Sequence, residues 1–115
     1  MVAIKKIAAT FYRTGQGAQP VREFIKALSV EDRRAVGNDI TTVEYGWPVG
    51  MPTCRPLGQG LWEVRSRLTT NRIARVLFML HDNRMVLLHG FIKKTQKTPQ
   101  SDLDLARKRM KEVTS

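Results

Sequence analysis

Residues 61–92 constrain this chain more than any other stretch. Three segments in a row carry strand signals, and only short turn signals separate them. In 61–68, Trp62, Val64, Ser66 and Leu68 fall on one face and Glu63, Arg65 and Arg67 on the other, the alternation that a pleated strand produces. In 72–80 the run Val76-Leu77-Phe78-Met79-Leu80 is too apolar for a sheet edge. Residues 85–92 are apolar almost throughout, and such runs suit central strands covered on both faces. Asp82-Asn83 suits a tight turn between the last two. Consecutive strands joined this closely form an antiparallel meander.

The rest of the chain supplies what covers that meander. Residues 1–12 alternate loosely and predict a first strand, followed by a turn at 13–17. Pro20 suits the first turn of a helix, and Val21, Phe24, Ile25 and Leu28 recur at i, i+3, i+4 and i+7. Ser29 with Asp32 three residues later resembles a capping box, so a second helix starts there. Its predicted apolar stripe is Val30, Val36, Ile40 and Val43, and Gly46 with Pro48 beyond it marks the end. Residues 47–60, rich in Pro and Gly, form an irregular connection with room for a short edge strand near Cys54. Thr98 and Pro99 read as N-cap and first position of a last helix, whose stripe is Leu103, Ala106, Met110 and Val113. Arg107, Lys108, Arg109 and Lys111 suit its negative C-terminal end. The expectation is one α+β domain over residues 1–115, ordered β-α-α-β-β-β-α. An antiparallel sheet of about four strands is backed by a helical hairpin, with a C-terminal helix.

Composition excludes several functional classes. One cysteine, Cys54, forms no internal disulfide and supplies no cysteine-based zinc site. No apolar run reaches the roughly 18–20 residues of a membrane span, and the opening MVAIKKIAAT lacks the apolar core of a signal peptide. The expected location is the cytoplasm, away from any membrane. No Walker loop, GxGxxG, HExxH or paired-carboxylate pattern occurs, so neither metal nor cofactor is expected. Charge is the outlying property: twenty Lys and Arg against ten Asp and Glu give +10. Such a domain suits polyanions, or an acidic protein that neutralises it.

The basic residues gather on the predicted sheet. Residues 61–97 hold Arg65, Arg67, Arg72, Arg75, Arg84, Lys93, Lys94 and Lys97 against only Glu63 and Asp82. If Asp82-Asn83 is a two-residue hairpin loop, Leu80 pairs with Met85, Arg75 with Gly90, Arg72 with Lys93 and Asn71 with Lys94. Gly90 would then leave open space beside the Arg75 guanidinium. If Thr69-Thr70-Asn71 is a three-residue loop ending in a left-handed Asn71, Arg65 lies opposite Arg75. Together these registers place Arg65, Arg75 and Lys94 on one face with Arg67 alongside. A slip of one residue would break that constellation.

Each candidate has two readings. Arg75 interrupts an apolar strand, which is costly unless something meets it. It is either a partner in a structural ion pair, for instance with Glu63, or a phosphate contact. Lys93, Lys94 and Lys97 are either a solvated run after a strand or a phosphate-binding group. His89, in an apolar strand, fits a satisfied core histidine better than a catalytic one, and His81 beside the turn is expected to be exposed. Trp62 and Phe91 have the spacing of core residues, although aromatics of this kind also stack on bases. Cys54 has no activating neighbour beyond Arg55 and reads as inert.

LWEVRSRL, NRIARVLFML and MVLLHGFIKKTQKTP, followed by an Ala- and Arg-containing helix, resemble the phage-derived HigB-like branch of the RelE/ParE toxin superfamily. The upstream VREFIKALSVEDRR hairpin fits as well, and the resemblance covers about residues 10–112. It implies the toxin of a type II toxin–antitoxin module, and for many such toxins an endoribonuclease that cuts mRNA in the ribosomal A site. The implied partners are mRNA, the ribosome and a cognate antitoxin, commonly of helix-turn-helix type. Operator DNA is implied only for the toxin–antitoxin complex.

By position, Arg75 matches the central-strand arginine at the scissile phosphate, and Arg65 a basic position on the preceding strand. Lys93, Lys94 and Lys97 match basic residues after the last strand. Two departures stand out: Glu63 occupies a place where the best-known RelE members have lysine, and no tyrosine follows the last strand. The general acid and base therefore stay unassigned. Metal-free RNA cleavage uses the neighbouring 2′-hydroxyl as nucleophile, helped by groups that hold it in line and match the developing charge. On this reading Arg75, Lys94 and Lys93 are the catalytic candidates, and Arg65, Arg67, Arg72 and Lys97 bind RNA. The alternatives are a ParE-like inhibitor of DNA gyrase, a nucleic-acid-binding domain without catalysis, and a degenerate toxin kept as a repressor partner.

Overall fold

The expected meander is the centre of the structure, a computed structural model that describes residues 4–93 and 97–115. Strands β3 (Leu61–Arg67), β4 (Ile73–His81) and β5 (Arg84–Lys93) pair antiparallel in sequence. Asp82 and Asn83 both have positive φ, the backbone that a two-residue hairpin turn requires. Two edge strands complete a mixed five-stranded sheet of order β1-β5-β4-β3-β2. The expectation of about four strands is thus one short. The short strand near Cys54 is real, as β2 (Cys54–Gly58), and β1 (Ala8–Phe11) lies parallel to β5.

The sheet has helices on both faces. Helices α1 (Pro20–Lys26) and α2 (Val30–Gly46) cover one side, and α3 (Gln100–Thr114) covers the other. Val21, Val36, Ile40 and Val43 meet Val64, Ala74, Val76 and Phe78 beneath the hairpin. Leu103, Ala106 and Met110 of α3 meet Leu61, Leu77, Met79 and Leu88 on the opposite face. Double coverage is why β4 and β5 lack polar alternation. The Ser29 hydroxyl accepts the Asp32 backbone N–H, as expected of an N-cap. Val30 departs from the predicted stripe: it stands at the first turn of α2 and is 64% exposed. Buried Glu44 secures the edge strand, since its carboxylate accepts the Ala9 N–H at 2.7 Å and an ion pair from Lys5 at 3.1 Å.

Two registers decide the site. Between β3 and β4 the expected pairing holds, and Arg65 faces Arg75. Its Thr69–Asn71 loop has both Thr70 and Asn71 at positive φ. Between β4 and β5 the expected pairing holds only near the turn, as in Leu80 with Met85. A bulge at Leu88 then shifts it, so Arg75 pairs with Phe91 rather than Gly90, and Lys93 with Ile73 rather than Arg72. The expected partner of Asn71, Lys94, lies outside the described residues. The inserted residue lets Leu88 fill the α3-side core while His89 still reaches α3.

Gly90 consequently turns to the opposite face, and the open space expected beside Arg75 is not there. A Cβ on Gly90 would come within 2.5 Å of the Phe24 ring. Glycine is needed because α1 lies directly on this strand. Gly90→Ala should destabilise the fold by about 1–3 kcal/mol through overpacking. A urea-unfolding midpoint that drops at unchanged slope would show it.

Candidate functional site: an arginine cluster around a buried carboxylate

Alternation along β3 and β4 puts Leu61, Glu63, Arg65 and Arg67 on the α3 side with Arg75 and Leu77. Helix α3 shields the half of this face that holds Leu61 and Leu77. Arg67 and Lys93, in the row nearest the strand ends, are exposed. The boundary between covered and open halves runs through the charged residues.

Glu63 is the centre. It is completely buried, as is Arg75. The Glu63 carboxylate takes Arg55 Nε at 3.2 Å and Arg65 Nε at 3.7 Å through Oε1, and its Oε2 accepts the Thr98 hydroxyl at 2.6 Å. The same Thr98 oxygen accepts from Arg55 Nη2 at 3.2 Å and Arg75 Nη1 at 3.5 Å. Burial pushes the Arg75 guanidinium below its ordinary value, Glu63 acts against that, and Arg65 and Arg55 reinforce it. An arginine nevertheless stays charged. Three guanidinium groups thus surround one carboxylate, locked by a single hydroxyl.

Thr98 was expected to cap α3. Pro99 holds the N-cap position instead, and the Thr98 side chain turns inward to the cluster. His89 and Asp102 add a second link between helix and sheet, Nε2 to Oδ1 at 2.6 Å, with the His89 ring stacked on Phe91. His89 is therefore a satisfied histidine. Phe91 is core, and Trp62 packs edge-on against Trp47.

The sequence candidates separate into groups. Arg65 and Arg75 are brought together, and Arg67 and Lys93 lie in the next row on the same face. Arg72 is drawn elsewhere. Its guanidinium bridges Asp32 at 3.0 Å and bonds to Thr69 and Thr70, so it stitches the β3–β4 loop to α2. Lys97 is exposed next to Thr98. Lys94 lies outside the described residues. Arg55 and Thr98 are the members that sequence reasoning missed. The Gly58-Gln59-Gly60 turn, all at positive φ, was a usable signal, because it pairs Arg55 with Glu63.

Among the described residues, no group of three or more His, Cys, Asp or Glu side chains is placed to hold a metal ion. No helix among them is long and apolar enough to cross a membrane. Cys54 is buried on the hairpin side. Burial and the nearby Glu63 push its thiol up to about 11.

The family model described as phage-derived protein Gp49-like (DUF891) matches residues 23–111, and the chain belongs to that family. The family is related to toxin–antitoxin systems and is RelE-like. No curated protein matches the chain. The matched span includes all five members of the cluster.

Two outcomes follow from this geometry. Glu63→Ala would leave three cations facing one another and should cost about 3–5 kcal/mol, whereas Thr98→Val should cost about 1–3 kcal/mol; chemical denaturation measures both. For Cys54 the raised folded value favours the neutral thiol. That contribution to stability is complete below the ordinary value of 9.0 and is lost as pH rises through about 11. At pH 8 the native thiol should react with a disulfide reagent about a hundredfold more slowly than in denaturant.

Proposed function

We propose that the chain is the toxin of a type II toxin–antitoxin module, and that it acts as an endoribonuclease on mRNA engaged with the ribosome. The observation that carries this reading is the β3–β4 pairing that sets Arg65, at the border of the uncovered end of the sheet, beside the buried Arg75. Arg67 and Lys93 extend the same face toward solvent. A row of cations on a rigid sheet is suited to a ribose-phosphate backbone, since phosphate contacts position the strand. Family membership supports the toxin–antitoxin setting, and the partner in that setting is an antitoxin.

In the proposed step the 2′-oxygen attacks the adjacent phosphorus, and the bond to the next nucleotide's 5′-oxygen breaks. A 2′,3′-cyclic phosphate forms, the 2′-hydroxyl proton goes to a base and the leaving oxygen receives one. Arg65 is the described guanidinium best placed to meet the phosphorane charge. Arg75, fully buried here, adds its own field, and Glu63 holds Arg65 in place; direct contact of Arg75 with phosphate requires the Thr98 side chain that caps it to give way. Lys93, exposed beside Arg67 on this face, is the described candidate for proton transfer. Lys94 keeps that role as a candidate from sequence, and Lys97 that of an RNA contact.

Induction of the chain in a bacterial host should halt growth and generate new mRNA 5′ ends. Replacing the exposed Arg67 and Lys93 together with alanine should reduce cleavage by about tenfold or more while the fold is retained. Unchanged cleavage in that variant would overturn the site assignment. A DNA-damage response without new mRNA ends would instead point to gyrase poisoning.

A further inference from the structure

A second recess adjoins the cluster. It is an open cleft of about 620 Å³ at the tip of the β3–β4 hairpin, between α2 and the loop that precedes β2. That volume falls in the roughly 300–1,000 Å³ range of small-ligand sites. Pro52, Leu68 and Ile73 supply apolar wall, and Arg65 and Arg67 line one side. These two arginines also belong to the open sheet face, so the cleft continues that face.

Asp39 of α2 also lines the cleft. It stands seven residues after Asp32, two helical turns on along the same side of α2. Asp32 is taken up by Arg72. Asp39 is half-buried, yet among the described residues its side chain forms neither an ion pair nor a hydrogen bond. Arg67 likewise forms none. Asp39 and Arg67 therefore line one cleft, together with Arg65 and Arg72, without closing on each other. A partly desolvated carboxylate is costly without donors, and here it faces a space wide enough for a ring with donors of its own.

We propose that this cleft is a nucleobase subsite, and that Asp39 selects bases carrying an exocyclic amino group against uracil. Arg65 and Arg67 stand two residues apart on one strand face, about 7 Å by strand rise, and hold the phosphates flanking the inserted nucleotide. The base then lies against Leu68, Ile73 and Pro52 and turns its pairing edge to α2. Carboxylates accept from amino groups such as cytosine N4. Uracil presents a carbonyl oxygen at that position, which a carboxylate repels. The proposal rests on the reading of this chain as an RNA-binding protein, and it names the specificity element of that same site.

The test is equilibrium binding of the full chain to 2′-deoxy hexamers, which lack the attacking hydroxyl and report on recognition alone. Oligodeoxycytidylate and oligodeoxyuridylate differ at the position in question wherever the base is seated. The expected result is about tenfold tighter binding of the cytidine hexamer, lost in both Asp39→Asn and Asp39→Ala. Arg67→Ala should weaken both hexamers equally and keep the preference. Equal binding of the two hexamers by the unaltered chain, or an unchanged preference in either Asp39 variant, would overturn the subsite. A preference that disappears with Asp39 in a chain that cuts no mRNA would leave the subsite standing and remove the ribonuclease reading. Cleavage without base preference would do the reverse.

Discussion

The Glu63 carboxylate governs this structure. It has no exposure to water, and its stability depends on the guanidinium groups of Arg55 and Arg65 and on the Thr98 hydroxyl. The dependence runs both ways, because Arg75 is equally buried and the carboxylate offsets the cost of that burial. A buried ion cluster of this kind contributes little net stability compared with apolar packing, but removing one member leaves the others uncompensated. Its value lies in fixing geometry. Thr98 ties the start of α3 to β3, and the rest of that helix can then seal Leu61, Leu77, Met79 and Leu88 from water.

The charge count explains why such a structure can carry a site. Three guanidinium groups against one carboxylate leave two positive charges in excess. Part of that excess is under α3, in surroundings less polarisable than water, so its field is screened less than that of surface charges. It emerges at the uncovered end of the sheet, where Arg65, Arg67 and Lys93 stand. Charges held there by strand backbone need no reorganisation when a phosphate arrives, which is the condition for strong electrostatic stabilisation of a transition state.

Most of the architecture was legible because it follows from period and punctuation. Alternation in 61–68 gave the correct faces of β3, and the Thr69–Asn71 loop gave the pairing of Arg65 with Arg75. Ser29 and the stripe of Val36, Ile40 and Val43 located α2. What sequence missed depended on single residues meeting across the fold. The bulge at Leu88 leaves no mark in composition, because one apolar residue more in an apolar run changes no pattern. Gly90 looked like space and is a seat for Phe24, a contact 66 residues away in sequence that no local rule encodes. Arg72 was grouped with the other cations by charge alone, and its pairing with Asp32 on α2 neutralises it. Thr98 had the sequence context of an N-cap, and the demand of a buried carboxylate outweighed that local role.

The departure at position 63 is coupled to the edge of the sheet. Where the best-known members of the resembled superfamily have lysine, this chain has glutamate, and β2 sets Arg55 directly opposite it. The two are a cross-strand ion pair, so neither is interchangeable alone: a lysine at 63 would add a fourth cation to three that are already mutually repulsive, and loss of Arg55 would strip Glu63 of a guanidinium partner at 3.2 Å. A carboxylate fully ion-paired and out of reach of solvent is poorly suited to shuttle protons to a substrate. In the proposed reaction the proton carriers accordingly belong to the end of β5 and the residues that follow it, with Glu63 keeping the guanidinium wall in shape.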